Sequence, residues 1–184
     1  MKLAEHKDLK LAITDLSVKE KDKLLLRLVA KDKVLTEHLH YKLLEDETDL
    51  EDRKEKIKAD VEEQITELRK LNAKEALVKV RKMIAMVNHF YKVTKDAFGE
   101  VELKIHILNS IPIEYKAKTF SYRDFMILFA AYYIKTVAAT LNKFKKLHED
   151  LQFDLTKEFN DVLDKIYSSK LSDAAQTLNL PKEV

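Results

Sequence analysis

An all-α fold follows from three features of the sequence. Glycine and proline are nearly absent, helix-capping side chains recur, and apolar residues return at helical spacing. The 184 residues include one glycine, Gly99, and two prolines, Pro112 and Pro181. Average usage of ~7% would supply roughly a dozen glycines. Hairpins, bulges and positive-φ turns draw on glycine, so a sheet-rich chain would lack its connections. The expected architecture is six or seven helices packed as irregular antiparallel hairpins, either a bundle or a short HEAT-like array. Residues 1–184 are expected to form a single helical domain, with 1–15 and 172–184 fraying at its ends.

The elements follow in order. In "SVKE", Ser17 and Glu20 can cap each other's backbone, and Leu24, Leu25, Leu28 and Val29 follow on one helical face. A second helix is expected from about Asp32 to Leu44, with Val34, Leu35, Leu39 and Leu43 inward. "TDLE", Thr48 to Glu51, predicts another capping box, opening a helix with a narrow stripe of Ile57, Val61, Ile65, Leu68 and Leu71. "NAKE", Asn72 to Glu75, caps a helix apolar enough to sit centrally, through Leu77, Val80, Met83, Ile84, Val87 and Phe90. It is expected to end near Asp96–Gly99, with Gly99 in the left-handed C-terminal position. Val101, Leu103, Ile105, Ile107 and Leu108 nearly alternate, but no partner strand exists, so they read as a helix that Pro112 stops. Residues 109–121 are the longest irregular stretch. "SYRD", Ser121 to Asp124, opens the most hydrophobic helix. From Tyr133 the stripe runs through Val137, Leu141, Phe144, Leu147, Leu151, Leu155, Phe159, Val162 and Ile166 at close to the 3.6-residue helical period. It predicts a near-continuous helix from about 121 to 168, with "LHEDLQFD", residues 147–154, in its interior.

The composition argues against several chemistries. No cysteine is present, which removes disulfides, thiolate catalysis and Cys-ligated metals and suits a reducing compartment. One glycine leaves no phosphate-cradling loop and no nucleophile elbow. The start has no uninterrupted apolar segment of the signal-peptide kind. The longest apolar run, Phe125 to Ile134, falls short of the ~20 residues of a membrane span. Glu37 and His40 stand at the spacing of di-iron helices, but no second E-x-x-H occurs, and His38 and His40 point apart on a helix. His89, His106 and His148 would have to converge from different helices. No metal, cofactor or catalytic residue is therefore expected, and the chain is read as not an enzyme.

Net charge is +2, but unevenly spread: +4 over residues 72–97, +4 over 122–148 and −4 over 149–184. Two surfaces are candidate binding sites. A basic face would use Lys79, Arg81, Lys82, Lys92, Lys143, Lys145 and Lys146 to attract nucleic acid; with few arginines it suits weak, sequence-blind contact. An aromatic groove would use Tyr115, Phe120, Tyr122, Tyr132 and Tyr133 for a peptide or ligand.

The strings "LSVKEKDKLLLRLVAKDKVLTEHLHYKLLED" and "LHEDLQFD" resemble a family of small, lysine-rich, helical bacterial proteins with L-S-x-K-E near the start and L-H-E-D-L-Q-[FY]-D late. The resemblance covers roughly residues 16–165, implies a cytoplasmic helical protein with no known activity, and transfers no functional residue. The expected function is a non-enzymatic interaction or scaffold module with an unidentified protein partner and no membrane. A homodimer through the C-terminal helix and a nucleic-acid-associated role for 72–97 and 122–148 are the alternatives kept open.

Overall fold

The structure, a computed structural model, describes residues 5–115 and 124–184. Every regular element among them is an α-helix, nine in all. The excess over six or seven has two sources. Short helices form in both stretches expected to fray, and the long C-terminal helix is two.

The chain divides into two compact units, Met1–Glu45 and Asp46–Val184. The first holds α1 (Lys7–Asp15), α2 (Val18–Val29) and α3 (Lys33–Leu44). Ser17 and Glu20 form the expected capping box of α2, and Asp32 caps α3 through the Leu35 N–H. Thr36 Oγ1 donates to the Val29 carbonyl, closing the α2–α3 corner. None of residues 5–45 is buried, and Leu25, Leu26, Leu28, Leu43 and Leu44 are each more than half exposed.

The second unit holds the core. It contains α4 (Glu47–Leu68), α5 (Ala73–Thr94), α6 (Ala97–Ser110), α7 (Phe125–Phe144), α8 (Glu149–Tyr167) and α9 (Ser172–Thr177). The α4 cap differs from expectation. Asp46 and Asp49 form the capping box, two residues before Thr48. Both frames carry a capping pattern, and the acidic one takes the helix start because Asp46 also accepts from the Thr48 N–H. Asn72 and Glu75 cap α5 as expected. Its C-terminal left-handed residue is Lys95 (φ 61°), not Gly99. Gly99 lies inside the first turn of α6, where its N–H donates to the capping carboxylate of Asp96. A side chain there would fall on Asp96 Oδ2 and come within 3.1 Å of Phe90 Cε1, so the glycine serves close approach.

Helix α6 is the hub. Val101, Leu103, Ile105, Ile107 and Leu108 are all at most 1% exposed, although they alternate with Glu102, Lys104 and His106: the helix is covered on most sides. It packs against α4, α5, α7 and α8. Contact pairs fix the directions. Lys54 meets Phe98 and Lys58 meets Glu102, so α4 and α6 run parallel. Lys74, Arg81 and Tyr91 on α5 meet Phe125, Tyr132 and Lys143 on α7 in the same order, so these two are also parallel. Between successive helices the order reverses: Glu100 meets Lys143, while Leu108 meets Tyr133. Helices α4, α6 and α8 thus lie side by side in contact, and α5, α7 and α9 do the same.

Helix α7 is long and apolar enough to cross a membrane, at mean hydropathy 1.3. Its buried residues Phe129, Tyr133, Ile134, Val137 and Leu141 pack in the core, as those of an internal helix do. It ends at Phe144, so the expected continuous helix over 121–168 is broken. Lys145 and Lys146 close the last turn with bonds to the Leu141 and Lys143 carbonyls, and Leu147 bonds to Phe144. His148 then caps α8, accepting from the Asp150 N–H. "LHEDLQFD" is a corner followed by two helical turns. In the stretch after Ser172, Ala175 and Leu180 are buried, and Val184 N–H donates to Asn160 Oδ1 at 2.9 Å. The capping frame expected at Ser121–Asp124 lies partly outside the described residues; within them Asp124 caps α7.

Candidate functional site

Charge is sorted between the two sets of helices. Helices α4, α6 and α8 together carry seventeen Asp and Glu against seven Lys and Arg; α5, α7 and α9 carry two against seven. Alternating helices fall on opposite sides, so the acids of α4 and α8 and the bases of α5 and α7 separate into an acidic and a basic layer.

A cleft of about 400 Å³ opens in the acidic layer. Helix α6 forms its floor with Phe98, Glu102, Ile105, His106 and Asn109. The first, second and fourth of these stand four residues apart, on one helical face. Lys54 and Lys58 of α4 form one wall; Asp154, Leu155 and Glu158 of α8 form the other.

The two walls differ in how their charge is used. Lys54 Nζ lies 2.7 Å from Glu51 and 3.2 Å from Glu102. Lys58 Nζ lies 3.0 Å from Glu55 and 2.8 Å from Glu102. Burial works to lower both lysine pKa values, but the hydrogen-bonded carboxylates outweigh it and hold them above the ordinary value. Burial works to raise Glu102, and the two ammonium groups hold it below the usual carboxylate range. The basic wall is therefore neutralised in place. Asp154 and Glu158 are exposed, and no cation among the described residues pairs with them. Between the walls, His106 Nε2 is buried without a hydrogen-bond partner. Burial first, then the charge of Lys58, push the imidazole pKa below its ordinary value.

Behind the floor, Glu100 is 2% exposed and accepts from Lys104 at 2.7 Å and Lys143 at 2.5 Å. Burial, opposed by Glu100, holds the Lys104 pKa below its ordinary value. At the C-terminus of α6, Lys165 Nζ donates to the carbonyls of Leu108, Asn109 and Ile111.

The expected basic face is only partly available. Lys79 is paired with Glu67, Lys143 with Glu100, and Arg81 stands over the Tyr132 ring. Lys82 and Lys92 on α5 and Lys145 and Lys146 in the α7–α8 corner are exposed. Nor do the described members of the aromatic groove share one surface. Tyr133 is core and donates to the Leu108 carbonyl, Tyr132 lies half-buried beneath Arg81, and Tyr115 packs edge-on to Phe129. Phe120 and Tyr122 lie outside the described residues. Tyr115 does border an apolar cavity of about 380 Å³ with Met126, Ile127, Ala130 and Leu171, its hydroxyl unpartnered and its pKa raised by burial. Glu114 and Lys170 also line that cavity.

Sequence reading missed the cleft because its members come from three helices. The one signal was Glu102 and His106 as polar residues four apart among the apolar residues 101–108, where Lys104 also stands. Among the described residues no three His, Asp or Glu side chains come together as a metal set. The α8 stripe of Leu155, Phe159, Val162, Leu163 and Ile166, for which a homodimer was one alternative kept open, is buried within the chain's own core. No family model, no curated protein and no solved structure matches the chain, so the resemblance carried by "LSVKE" and "LHEDLQFD" adds nothing beyond those strings.

Proposed function

We propose that the chain is a non-enzymatic, cytoplasmic protein-interaction module whose Asp46–Val184 unit is a short HEAT-like array of helical hairpins, with the α4–α6–α8 face receiving a partner protein. The observation that carries this reading is the sorting of charge by layer, seventeen acids against seven bases on the cleft side and two against seven on the other. Stacked hairpins expose extended faces that suit elongated partners, and complementary potential confers partner choice and speeds encounter.

Photo-crosslinking in the native host tests it. Asp161 lies on α8 two turns beyond Asp154 on the same side and is exposed; Lys82 is exposed on the basic layer. A photoreactive residue at Asp161 is expected to yield a discrete protein adduct that one at Lys82 does not. Adducts from Lys82 alone would contradict the reading.

A nucleic-acid-associated role through α5 and α7 is the second reading, favoured by the exposure of Lys82, Lys92, Lys145 and Lys146. It requires nucleic-acid adducts at Lys82 and a salt slope of about −0.9 per neutralised phosphate on duplex DNA.

A further inference from the structure

We propose that the Met1–Glu45 unit is a self-association surface, and that it receives the same unit of a second copy of this chain. It belongs to a different unit from the α4–α6–α8 face and does not rest on the reading given for that face. Residues 5–45 form three helices, of 9, 12 and 12 residues, and none of their side chains is buried. Isolated helices shorter than about 12–15 residues are marginal in water. A unit of about 40 residues usually needs disulfides, a metal or association to stay folded, and the chain has no cysteine. The polar ends of the helices are well made. Ser17 and Glu20 cap α2, Asp32 caps α3, and Lys21 Nζ donates to the Thr14 carbonyl at 2.6 Å. What the unit lacks is a cover for its apolar rows.

On α2, Val18, Leu25 and Leu28 share one side and are each more than half exposed. On α3, Leu35 and Leu43 stand two turns apart on one side with Leu39 between them, and both are more than a third exposed. The two helices are equal in length, 12 residues each. Two copies therefore supply four matched helices, the number that closes a bundle around such rows. Size and charge favour this occupant. The seven large apolar side chains that α2 and α3 leave more than a third exposed offer on the order of 600 Å² per chain, and the charged side chains beside them bring the surface to the ~800 Å² per partner of a standard interface. Met1–Glu45 carries ten Lys and Arg against eight Asp and Glu, interleaved along the helices. A second copy therefore meets little net repulsion and finds opposite charges around the rows. An anionic lipid surface or a nucleic acid is matched by a strongly basic face, which this is not. Within Asp46–Val184 the apolar stripes are packed in that unit's own core.

Sedimentation of the full chain from about 1 to 100 µM is the test, and the mass is expected to move from one chain to two over that range. Leu25→Ser with Leu28→Ser should weaken the dimer at least about a hundredfold. Phe153→Ser, at an exposed apolar position on α8, should change it less than about twofold. The serine pair can also unfold the unit, so a second measurement leaves the leucines in place. A nitroxide on Lys23→Cys, an exposed position in a chain with no other cysteine, should give a dipolar signal between copies. That signal should fade when labelled chain is mixed with about a tenfold excess of unlabelled chain. A single chain at every concentration, equal weakening by Phe153→Ser, or no dipolar signal would overturn the proposal. So would a monomer that binds phosphatidylglycerol vesicles through residues 18–44, which assigns the rows to a membrane. Hydrogen-exchange protection of 18–44 that stays constant across the dilution would overturn it too, because the rows are then covered within one chain.

Discussion

Lys165 on α8 and Ile111, the residue that ends α6, are joined by a hydrogen bond of 2.6 Å from Nζ to the backbone carbonyl. The same ammonium also binds the carbonyls of Leu108 and Asn109. The last carbonyls of a helix lack partners within it and carry the negative end of its dipole. Lys165 satisfies three of them from a neighbouring helix, which ties the cleft floor to its acidic wall. Lys165→Met should therefore destabilise the protein by about 1–3 kcal/mol, measured by urea denaturation. An unchanged midpoint would mean that these carbonyls are satisfied otherwise.

The same lysine predicts a pH effect. Burial pushes its pKa down to about 8, against an ordinary value of 10.5. Between these values the unfolded chain binds the proton and the folded chain does not, so stability from this group rises as pH increases from about 8 towards 10.5. The stability difference between the wild type and Lys165→Met should grow across that window. No growth would show that the three carbonyls hold the ammonium charged.

His106 titrates with the same sign at lower pH. Its folded pKa lies below the ordinary 6.5, so stability is complete above 6.5 and falls as pH drops from there towards the folded value. His106→Leu should remove this part of the acid dependence, as read from denaturation midpoints at pH 7.5 and 5.5. A wild-type curve that matches the variant throughout would contradict the lowered pKa of His106.

Glu100→Gln should be costly. It leaves Lys104 buried and uncompensated beside Lys143, and breaking a buried pair from one side costs about 3–5 kcal/mol. Replacing Glu100 and Lys104 together by leucine should recover much of that loss. If the single and double variants melt alike, the pair is not coupled.

Gly99→Ala tests the start of α6. Alanine favours a helix interior by up to ~1 kcal/mol over glycine. Here its methyl displaces the Asp96 cap, whose loss costs about 0.5–2 kcal/mol, and crowds Phe90. A net destabilisation of about 1 kcal/mol is expected by thermal denaturation; a stabilised variant would show that the cap adapts freely.

Much of the fold was legible because local chemistry decides it. Ser17 and Asn72 cap where their side chains stand in the sequence, and the alternating residues from Val101 to Leu108 form a helix, as the lack of a partner strand implied. The α7–α8 corner was not legible. Lys145 adopts right-handed helical angles and Leu147 still packs against the core, so the chain turns without glycine, proline or a break in the apolar phase. His148 is also an uncommon cap. The left-handed residue at Lys95 escaped for a related reason: the sequence offers Gly99 close by, but Asp96 starts the next helix first. The cleft required knowing that α4, α6 and α8 are neighbours, which no single window of sequence contains. The charge windows showed that the charge is uneven, and only the order of helix contacts turned it into two layers.

The segregation of charge between those layers is tested most directly by comparing amide relaxation caused by cationic and anionic nitroxide co-solutes, residue by residue. The exposed amides of α4 and α8 should relax faster with the cationic probe, and those of α5 and α7 with the anionic one. A ratio of the two effects that is the same on both sets of helices would contradict the account.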